Sequence, residues 1–381
     1  MKKKDDEMKN KNSQTKNMNL RLNLNKEPSR LRAAKAAQTL KVALLTVLLF
    51  ISVPSCKSPT GPKQDNLQPG RRDYTWTVDT LNIPYTVLES IWGSSPTDVW
   101  AVGPGGDKDK TIYHFTGQQW VNDGISRPLA PVAVFGFSQK DVWFGSYGNT
   151  IWHYDGNSLL HFQDYTIPNC TYAGIESIWG DSPDNIYAVG FGDSSNVLRG
   201  VIQHFTGSKW ETIYISNKNE DFVRIFKGIF SGSDYYVLSI RNNENNNTDS
   251  TIIYQFDGKN VKELYSSDFL AGHSSNLSVI ASRVYFILDN GVYLYNNGFT
   301  LQFNVEDQNF YRSISGRNGY DVFLCMKDGI AHYNGMDIQY LYHFHTGIQF
   351  LGAPSIFDKE VFFLAYDFVN NLNLIIRGKL N

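Results

Sequence analysis

Cysteine is scarce in this chain, with three residues in 381: Cys56, Cys170 and Cys325. Three cysteines cannot build a disulfide scaffold, and no CxxC pair or Cys/His cluster marks a structural zinc site. A run of apolar residues long enough to cross a membrane is also missing. The stretch Val42–Val53 is twelve residues, apolar but for Thr46 and Ser52. As helix it would span roughly 18 Å against a bilayer core of about 30 Å. Beyond it no segment carries a capped apolar stripe of 3.6-residue period, so helices are not expected. An excess of one charge is absent too, since 35 Lys+Arg face 37 Asp+Glu for a net of −2. What remains is 41% hydrophobic and 14% aromatic with 31 Gly and 13 Pro, a composition able to bury a core, which excludes wholesale disorder.

The balanced charge is an average of unlike parts. Residues 1–41 are rich in Lys, Arg and Asn, the short apolar run follows, and the stretch closes Val53-Pro54-Ser55-Cys56. A basic lead, a short apolar segment and small residues describe a secretory signal. The ending resembles a bacterial lipobox, in which the cysteine is lipidated and becomes the mature N-terminus. Pro54 departs from the usual pattern, and the lead is long enough for Met18 to be the start. Residues 1–55 therefore read as a signal with a long basic lead, with an uncleaved membrane anchor and an ordinary secretory signal as the alternatives. Residues 56–72 read as a lipidated cysteine on a flexible Pro/Gly/Gln/Asn tether. Cleavage would remove 12 Lys/Arg and 4 Asp/Glu, leaving 23 basic and 33 acidic residues, a net of −10. Nucleic acid needs a basic footprint, which such a domain lacks.

Everything after residue 73 repeats. Ser90-Ile-Trp-Gly-Ser-Ser-Pro-Thr-Asp-Val-Trp-Ala-Val-Gly103 recurs as Ser177-Ile-Trp-Gly-Asp-Ser-Pro-Asp-Asn-Ile-Tyr-Ala-Val-Gly190. Ile112-Tyr-His-Phe-Thr-Gly-Gln-Gln-Trp120 recurs as Ile202-Gln-His-Phe-Thr-Gly-Ser-Lys-Trp210. A diverged copy lies between them, and fainter ones begin at Ile229-Phe230, Val279-Ile280, Ile314-Ser315 and Ile356-Phe357. The anchors Val99, Val142, Ile186, Val237, Val284, Val322 and Val361 stand 38 to 51 residues apart. Short segments rich in β-branched and aromatic residues, separated by Gly/Asn/Asp/Ser/Pro turns, are strands. Repeated at this period without helices, they predict one all-β domain over 73–381. That domain is a single β-propeller, seven four-stranded blades by this count, with six or eight if the faint copies divide differently. The seventh copy ends with its third strand. Tyr74–Leu81 precedes the first copy and carries Trp76 where Trp120 and Trp210 stand. Strand 73–81 is therefore expected to complete the last blade and close the ring.

The IWGxSPxDVWAVG…IxHFTGxxW repeat resembles that of bacterial propeller lipoproteins, and distantly the Asp-box and regulator-type propellers. The resemblance covers 73–381, strongest in copies 1 to 3. It implies a cell-envelope lipoprotein, periplasmic or on the cell surface. Kelch double glycines, the WD40 pattern and the sialidase Asp-box are not satisfied, so no activity is carried over.

The repeated aromatics, among them Trp92, Phe135, Trp179 and Trp100, are expected to pack between blades, although a ring of them about a channel would also stack sugars. The repeated Asp98, Asp141, Asp184 and Asp321 are expected to structure strand 1–2 turns. His114, His153, His204 and His332 share one register and are expected to bond backbone, since neighbouring blades hold them too far apart for one metal. No metal or other cofactor is called for. Cys170 and Cys325 stand too many blades apart to pair.

Variation between copies marks a face. The strand 2–3 connections are long in copies 1, 3 and 4 and share a face with the strand 4–1 connections. The candidate binding face is Asp107, Lys108, Asp109, Asp193, Ser194, Arg199, Arg241, Asn243 and Asn245. With no catalytic constellation, the leading reading is a lipid-anchored, monomeric, non-enzymatic envelope protein that binds a protein or glycan. The rivals are a propeller glycoside hydrolase or lyase, which needs two carboxylates across a central pocket, and a structural scaffold in envelope assembly.

Overall fold

The computed structural model describes residues 68–381 except Pro84, 229–231, Ser233, 244–247 and 269–272. Residues 1–67, and with them the leader, Cys56 and most of the tether, lie outside the described residues. The described residues contain strands and turns and no helix. They form seven antiparallel four-stranded blades.

Blade 1 comprises Ser90–Ser95, Asp98–Val102, Ile112–Phe115 and Trp120–Val121. Blade 2 comprises Ala130–Ser138, Asp141–Tyr147, Thr150–Tyr154 and Leu159–Asp164. Blade 3 comprises Tyr172–Ser182, Asn185–Ser194, Val197–Phe205 and Trp210–Ile215. Blade 4 comprises Glu220–Phe226, Tyr235–Asn243, Thr248–Phe256 and Val261–Asp268. Blade 5 spans Ser275–Ile280 to Phe299–Asn304, and blade 6 spans Phe310–Asn318 to Ile338–His343. In blade 4 the first strand precedes the expected Ile229-Phe230, which lies outside the described residues. Phe226 there takes the aromatic register, 6.4 Å from Trp179.

Blade 7 is closed by the N-terminal strand. Tyr74–Leu81 runs antiparallel to Leu372–Leu380 in an unbroken register from Tyr74 opposite Leu380 to Leu81 opposite Asn373. Trp76 lies over Gly378, where a Cβ would meet its ring at 2.7 Å, and packs 5.5 Å from Tyr342 in blade 6. The preceding residues are docked as well. The Gly70 amide donates to Tyr320 O at 2.7 Å, and Arg72 donates to the carbonyls of His332 and Asp337.

The hydrophobic core is divided by the seams. Seven clusters of buried residues each join two neighbouring blades: Trp143 with Phe205 and Trp210, for example, or Phe362 with Ala101 and Phe115. Each sheet buries both faces against its neighbours, which is why aromatics recur in every copy. Glycines in the first strands permit this closeness. A Cβ on Gly136 would meet the Trp92 ring at 2.7 Å, and one on Gly180 would meet the Phe137 ring at 2.9 Å.

Two expectations about repeated polar residues are corrected. The strand-3 histidines bond side chains, not backbone: His114 meets Asp98 at 2.6 Å, His153 meets Asp141 at 2.7 Å and His332 meets Asp321 at 2.8 Å. In blade 3 the partner of His204 is Asn185, at 2.7 Å, so Asp184 is not the counterpart of the other three aspartates. Asp98 also spans its strand 1–2 turn as expected, accepting from the Ser94 amide and hydroxyl, and Ser95, Ser138 and Asn318 add side chains that accept the amides two residues on. Adjacent strands place the imidazole opposite the carboxylate, and the imidazole also stacks on Trp100 at 3.9 Å and Tyr187 at 4.3 Å. Burial alone would raise the Asp98 carboxyl. Hydrogen bonds from His114 and Ser94 outweigh it and hold the group below its ordinary value.

Candidate functional site

The first strands of all seven blades stand around a central channel with about 420 Å³ of free space. Its wall has levels that follow from strand register. Nearest one end stand Glu89, Val132, Glu176 and Val223. Next come Ser90, Ala133, Ser177 and Arg224, and beyond them Trp92, Phe135, Trp179 and Phe226. The aromatics thus do two things, packing against the next blade and lining the channel.

The first level is set by a β-bulge. Pairing slips between Pro131 and Ala133, between Ile175 and Ser177, and between Phe222 and Arg224. In each case the skipped residue, Val132, Glu176 or Val223, is turned out of the ladder toward the channel. Bulges re-aim side chains in this way and recur beside functional sites. Glu89 occupies the same register in blade 1, just before its first strand, with its amide bonded to Val102 O at 2.7 Å.

Two copies of the repeat therefore present a glutamate at one level of one channel, and in blade 4 Asp221 stands two residues before the bulged Val223. Burial raises the Glu176 carboxyl, opposed in part by the Tyr147 hydroxyl, which donates to Oε1 at 3.0 Å. Burial and then the charge of Glu176 raise Glu89. The same two causes push Asp221 well above the ordinary carboxylate range. Tyr147 itself is raised, first by burial and then by the field of Glu176 and its hydrogen bond, with smaller fields from Glu89 and Asp221. None of the three forms an ion pair with a described Lys, Arg or His, and Asp221 Oδ1 is buried without a hydrogen-bond partner. Aromatic rings flank the group: Phe191 lies 6.0 Å from Tyr147 and 6.1 Å from Tyr172, and Tyr172 is 42% exposed. Among the described residues no three His, Cys, Asp or Glu stand close enough to hold a metal ion. Deeper in, Arg224 forms no hydrogen bond or ion pair among the described residues, and burial lowers its pKa.

The acidic end opens toward the strand 4–1 and 2–3 connections, the face singled out from sequence. Of the residues named there, Asp107 pairs with Lys110 at 3.1 Å, and exposed Lys108 and neighbouring Asp109 share its loop. The long connection of blade 3 is an extended hairpin. Its strands run to Ser194 and from Val197, turning on Ser195 and Asn196 at φ 58° and 67°. Asp193 Oδ1 caps that turn by accepting the Asn196 amide, and Arg199 stands opposite Gly192. Blade 4 is extended likewise, with Asn243 opposite Thr248, and Asn245 lies outside the described residues. Arg241 is committed to a buried network, bonding Tyr254 and Glu220, with Glu220 also accepting from Ser239 at 3.1 Å. The sequence reading did not name Glu89, Glu176, Asp221 or Tyr147. The one available signal was a glutamate before the SIWG phrase in both well-preserved copies. Cys170 and Cys325 are free thiols, and burial pushes Cys325 up to about 12.

Seven blades about one lined channel, ring-closed by the N-terminal strand, define a β-propeller. Among solved structures, YCF48 bound to D1 peptide matches at TM-score 0.53 and 13% identity, covering 83% of this chain and 100% of that one. The β-propeller domain of Myceliophteria thermophila Cps50 (Swd1) matches at 0.52 and 9% identity, covering 78% and 99%. Puromycin hydrolase matches at 0.53 and 6%, covering 77% of this chain and 53% of that one. At these identities the likeness is one of fold. No family model and no curated protein matches the chain.

Proposed function

We propose that this chain is a binding propeller of the bacterial cell envelope, held there by lipid on Cys56 and taking its ligand at the acidic mouth of the channel. The observation that supports binding over hydrolysis is the direction of the three carboxylates. Glu89, Glu176 and Asp221 are all raised above their ordinary values. Acid–base hydrolysis works through a pair pushed apart, one carboxyl kept protonated and the other ionised. No such split separates Glu89, Glu176 and Asp221. The YCF48 structure, bound to a peptide, is a propeller of similar extent that serves binding.

Carbohydrate hydrolysis stands second, on the specific ground that Glu176 and Glu89 line one channel with Glu176 raised as a general acid would be. One experiment separates the two. The full-length protein in detergent is presented to a panel of purified envelope polysaccharides and envelope-protein peptides, with binding and reducing-sugar release both measured. Saturable binding without product is expected. Product release favours the second reading, and failure to bind any panel member overturns the first. The anchor is tested by fatty-acid labelling in cells. Label is expected on the wild type and absent from Cys56→Ser, and equal labelling of both overturns the anchor.

A further inference from the structure

We infer that the cleft between blades 1 and 2 takes the tyrosine side chain of an extended partner polypeptide, at a site apart from the channel. The seams of this propeller share one device. The fourth strand of a blade sets a side chain against the following blade, at the position opposite Ile202, Ile253, Val292 and Ile330 of the third strands. That side chain is Tyr214 in blade 3, Tyr265 in blade 4, Phe303 in blade 5 and Tyr342 in blade 6. Each packs on an aromatic ring of the next blade: Tyr214 on Phe256 at 6.0 Å, Tyr265 on Phe299 at 6.2 Å, Phe303 on Tyr333 at 4.0 Å and Tyr342 on Trp76 at 5.5 Å. Blades 2 and 7 bridge the seam with a polar residue instead. Gln163, opposite Ile151, bonds the backbone N–H and C=O of Trp210. Asp79, opposite Ile375, accepts from Trp120 Nε1 at 3.1 Å.

Blade 1 lacks this side chain. Its fourth strand is two residues, Trp120–Val121, which pair with Phe115 and His114, so the ladder stops short of Ile112. The core cluster of that seam accordingly includes Ile112 and no residue of Trp120–Val121. What remains is a cleft with about 650 Å³ of free space, within the range of ligand sites. The wall that would meet the missing ring is in place. Tyr154 lines the cleft and ends its third strand, as Phe256 and Tyr333 end theirs. Leu159 lines it and begins its fourth strand, as Phe299 does. Exposed Asn157 and Ser158 add polar groups. Three of the four counterparts are tyrosines, each half-buried in its seam, and tyrosine joins an apolar body to a polar tip. A polypeptide is the source because the third strand keeps an open edge beyond His114. Its Ile112 carbonyl is met by a side chain, Asn122 Nδ2 at 2.8 Å, in place of a ladder. An extended segment adds to such an edge and sets alternate side chains into the pockets beside it. Residues 1–67 hold one aromatic, Phe50 in the apolar run, so the tether brings no such ring.

The test uses the full-length protein in detergent and three probes followed by calorimetry. They are a short capped threonine peptide with one central tyrosine, the same peptide with central alanine, and 4-methylphenol. The tyrosine peptide is expected to bind at least tenfold more tightly than either of the others. Asn157→Trp, on the exposed turn beside the cleft, should fill it and lower that affinity at least tenfold. Lys259→Trp stands at the same position of the blade 4 turn, beside the seam that Tyr214 fills, and should leave it unchanged. Both variants should melt with the wild type. Tyr154→Ala, which adds no bulk, should lower the affinity at least tenfold by removing the ring wall, and it decides the matter if Asn157→Trp melts early. Equal binding of tyrosine and alanine peptides, no binding of the tyrosine peptide, or affinity indifferent to both cleft variants overturns the inference. Binding of 4-methylphenol as tight as that of the tyrosine peptide also overturns it, by showing that no polypeptide is needed. Each of these failures leaves the channel reading standing, since its ligand is tested by the envelope panel.

Discussion

The Tyr147 hydroxyl donates a 3.0 Å hydrogen bond to Glu176 Oε1 across the seam between blades 2 and 3. Tyr147 ends the second strand of blade 2, and its one backbone pairing to blade 3 is with Gly174. A Cβ at Gly174 would meet the Tyr147 ring at 2.5 Å, so the ring passes there only because that residue is glycine. The contact ties the bulge of one blade to the rim of the next.

Tyr147→Phe removes the one donor that offsets burial at Glu176. The Glu176 carboxyl should titrate still higher, read by carboxyl-carbon NMR, while folding stability falls by about 1 kcal/mol. An unmoved titration would mean that the hydrogen bond does not govern that group.

The mouth also sets a pH dependence. Glu89, Glu176 and Asp221 have raised folded-state values, so the folded chain holds more protons than the unfolded one. Their contribution to stability is full below the ordinary carboxylate range and is lost as pH rises through their raised values. Asp98 and Asp321 are lowered and act the opposite way, their contribution present above the ordinary range and lost as pH falls through their folded values. The Glu176→Gln, Asp221→Asn double variant should therefore flatten the decline of stability on the alkaline side of the carboxylate range, leaving the acid limb as it was. Urea midpoints across pH check this.

Asp321 is buried and accepts hydrogen bonds from His332, which is fully buried, and from Arg317. Asp321→Ala strands the buried His332 Nε2 and takes one acceptor from Arg317, which keeps the Tyr74 hydroxyl and Phe357 O, and a loss of about 3 kcal/mol is expected from denaturant unfolding. Asp184→Ala, at the position mistaken from sequence for its counterpart, should change stability by less than about 0.5 kcal/mol.

Deleting residues 73–81 leaves Leu372–Leu380 as an open edge. Stability should drop by at least about 5 kcal/mol, since the eight-residue ladder is lost at roughly 0.5–1 kcal/mol for each hydrogen bond together with the Trp76 packing. A synthetic peptide of residues 73–81 should restore part of the melting temperature. An unchanged melt would show that the ring does not depend on this closure.

Arg224 occupies the level held by serine or alanine in blades 1, 2 and 3 and has no partner among the described residues. Arg224→Met should be neutral or stabilising by up to about 1 kcal/mol in thermal melts, since it removes an unpaired, half-buried charge. A large loss would show that the guanidinium holds the channel wall in place.

Much of the fold was legible because a propeller writes its structure locally. The strand phrases, their spacing and the Trp76 strand all announced themselves by similarity to other copies, and each blade repeats one solution to burying two faces. Blade 4 was misplaced because its copy lacks the IWG phrase, so Glu220–Phe226 matched nothing. The His–Asp clasp was misread because it joins residues of adjacent strands, and its Asn185 member was hidden beside the more conspicuous Asp184.

The amino-acid sequence determined the propeller, the closing strand and the face on which connections vary, since these follow from local pattern and turn chemistry, while the count of seven among six, seven or eight blades came from the structure. Tertiary structure alone decided the site. Glu89, Glu176 and Asp221 are far apart in the chain and ordinary by type. Only the curling of seven sheets about one axis, and bulges that turn residues out of their ladders, bring Glu89 and Glu176 to one channel. Burial then raises them as a group, a property that no single repeat possesses.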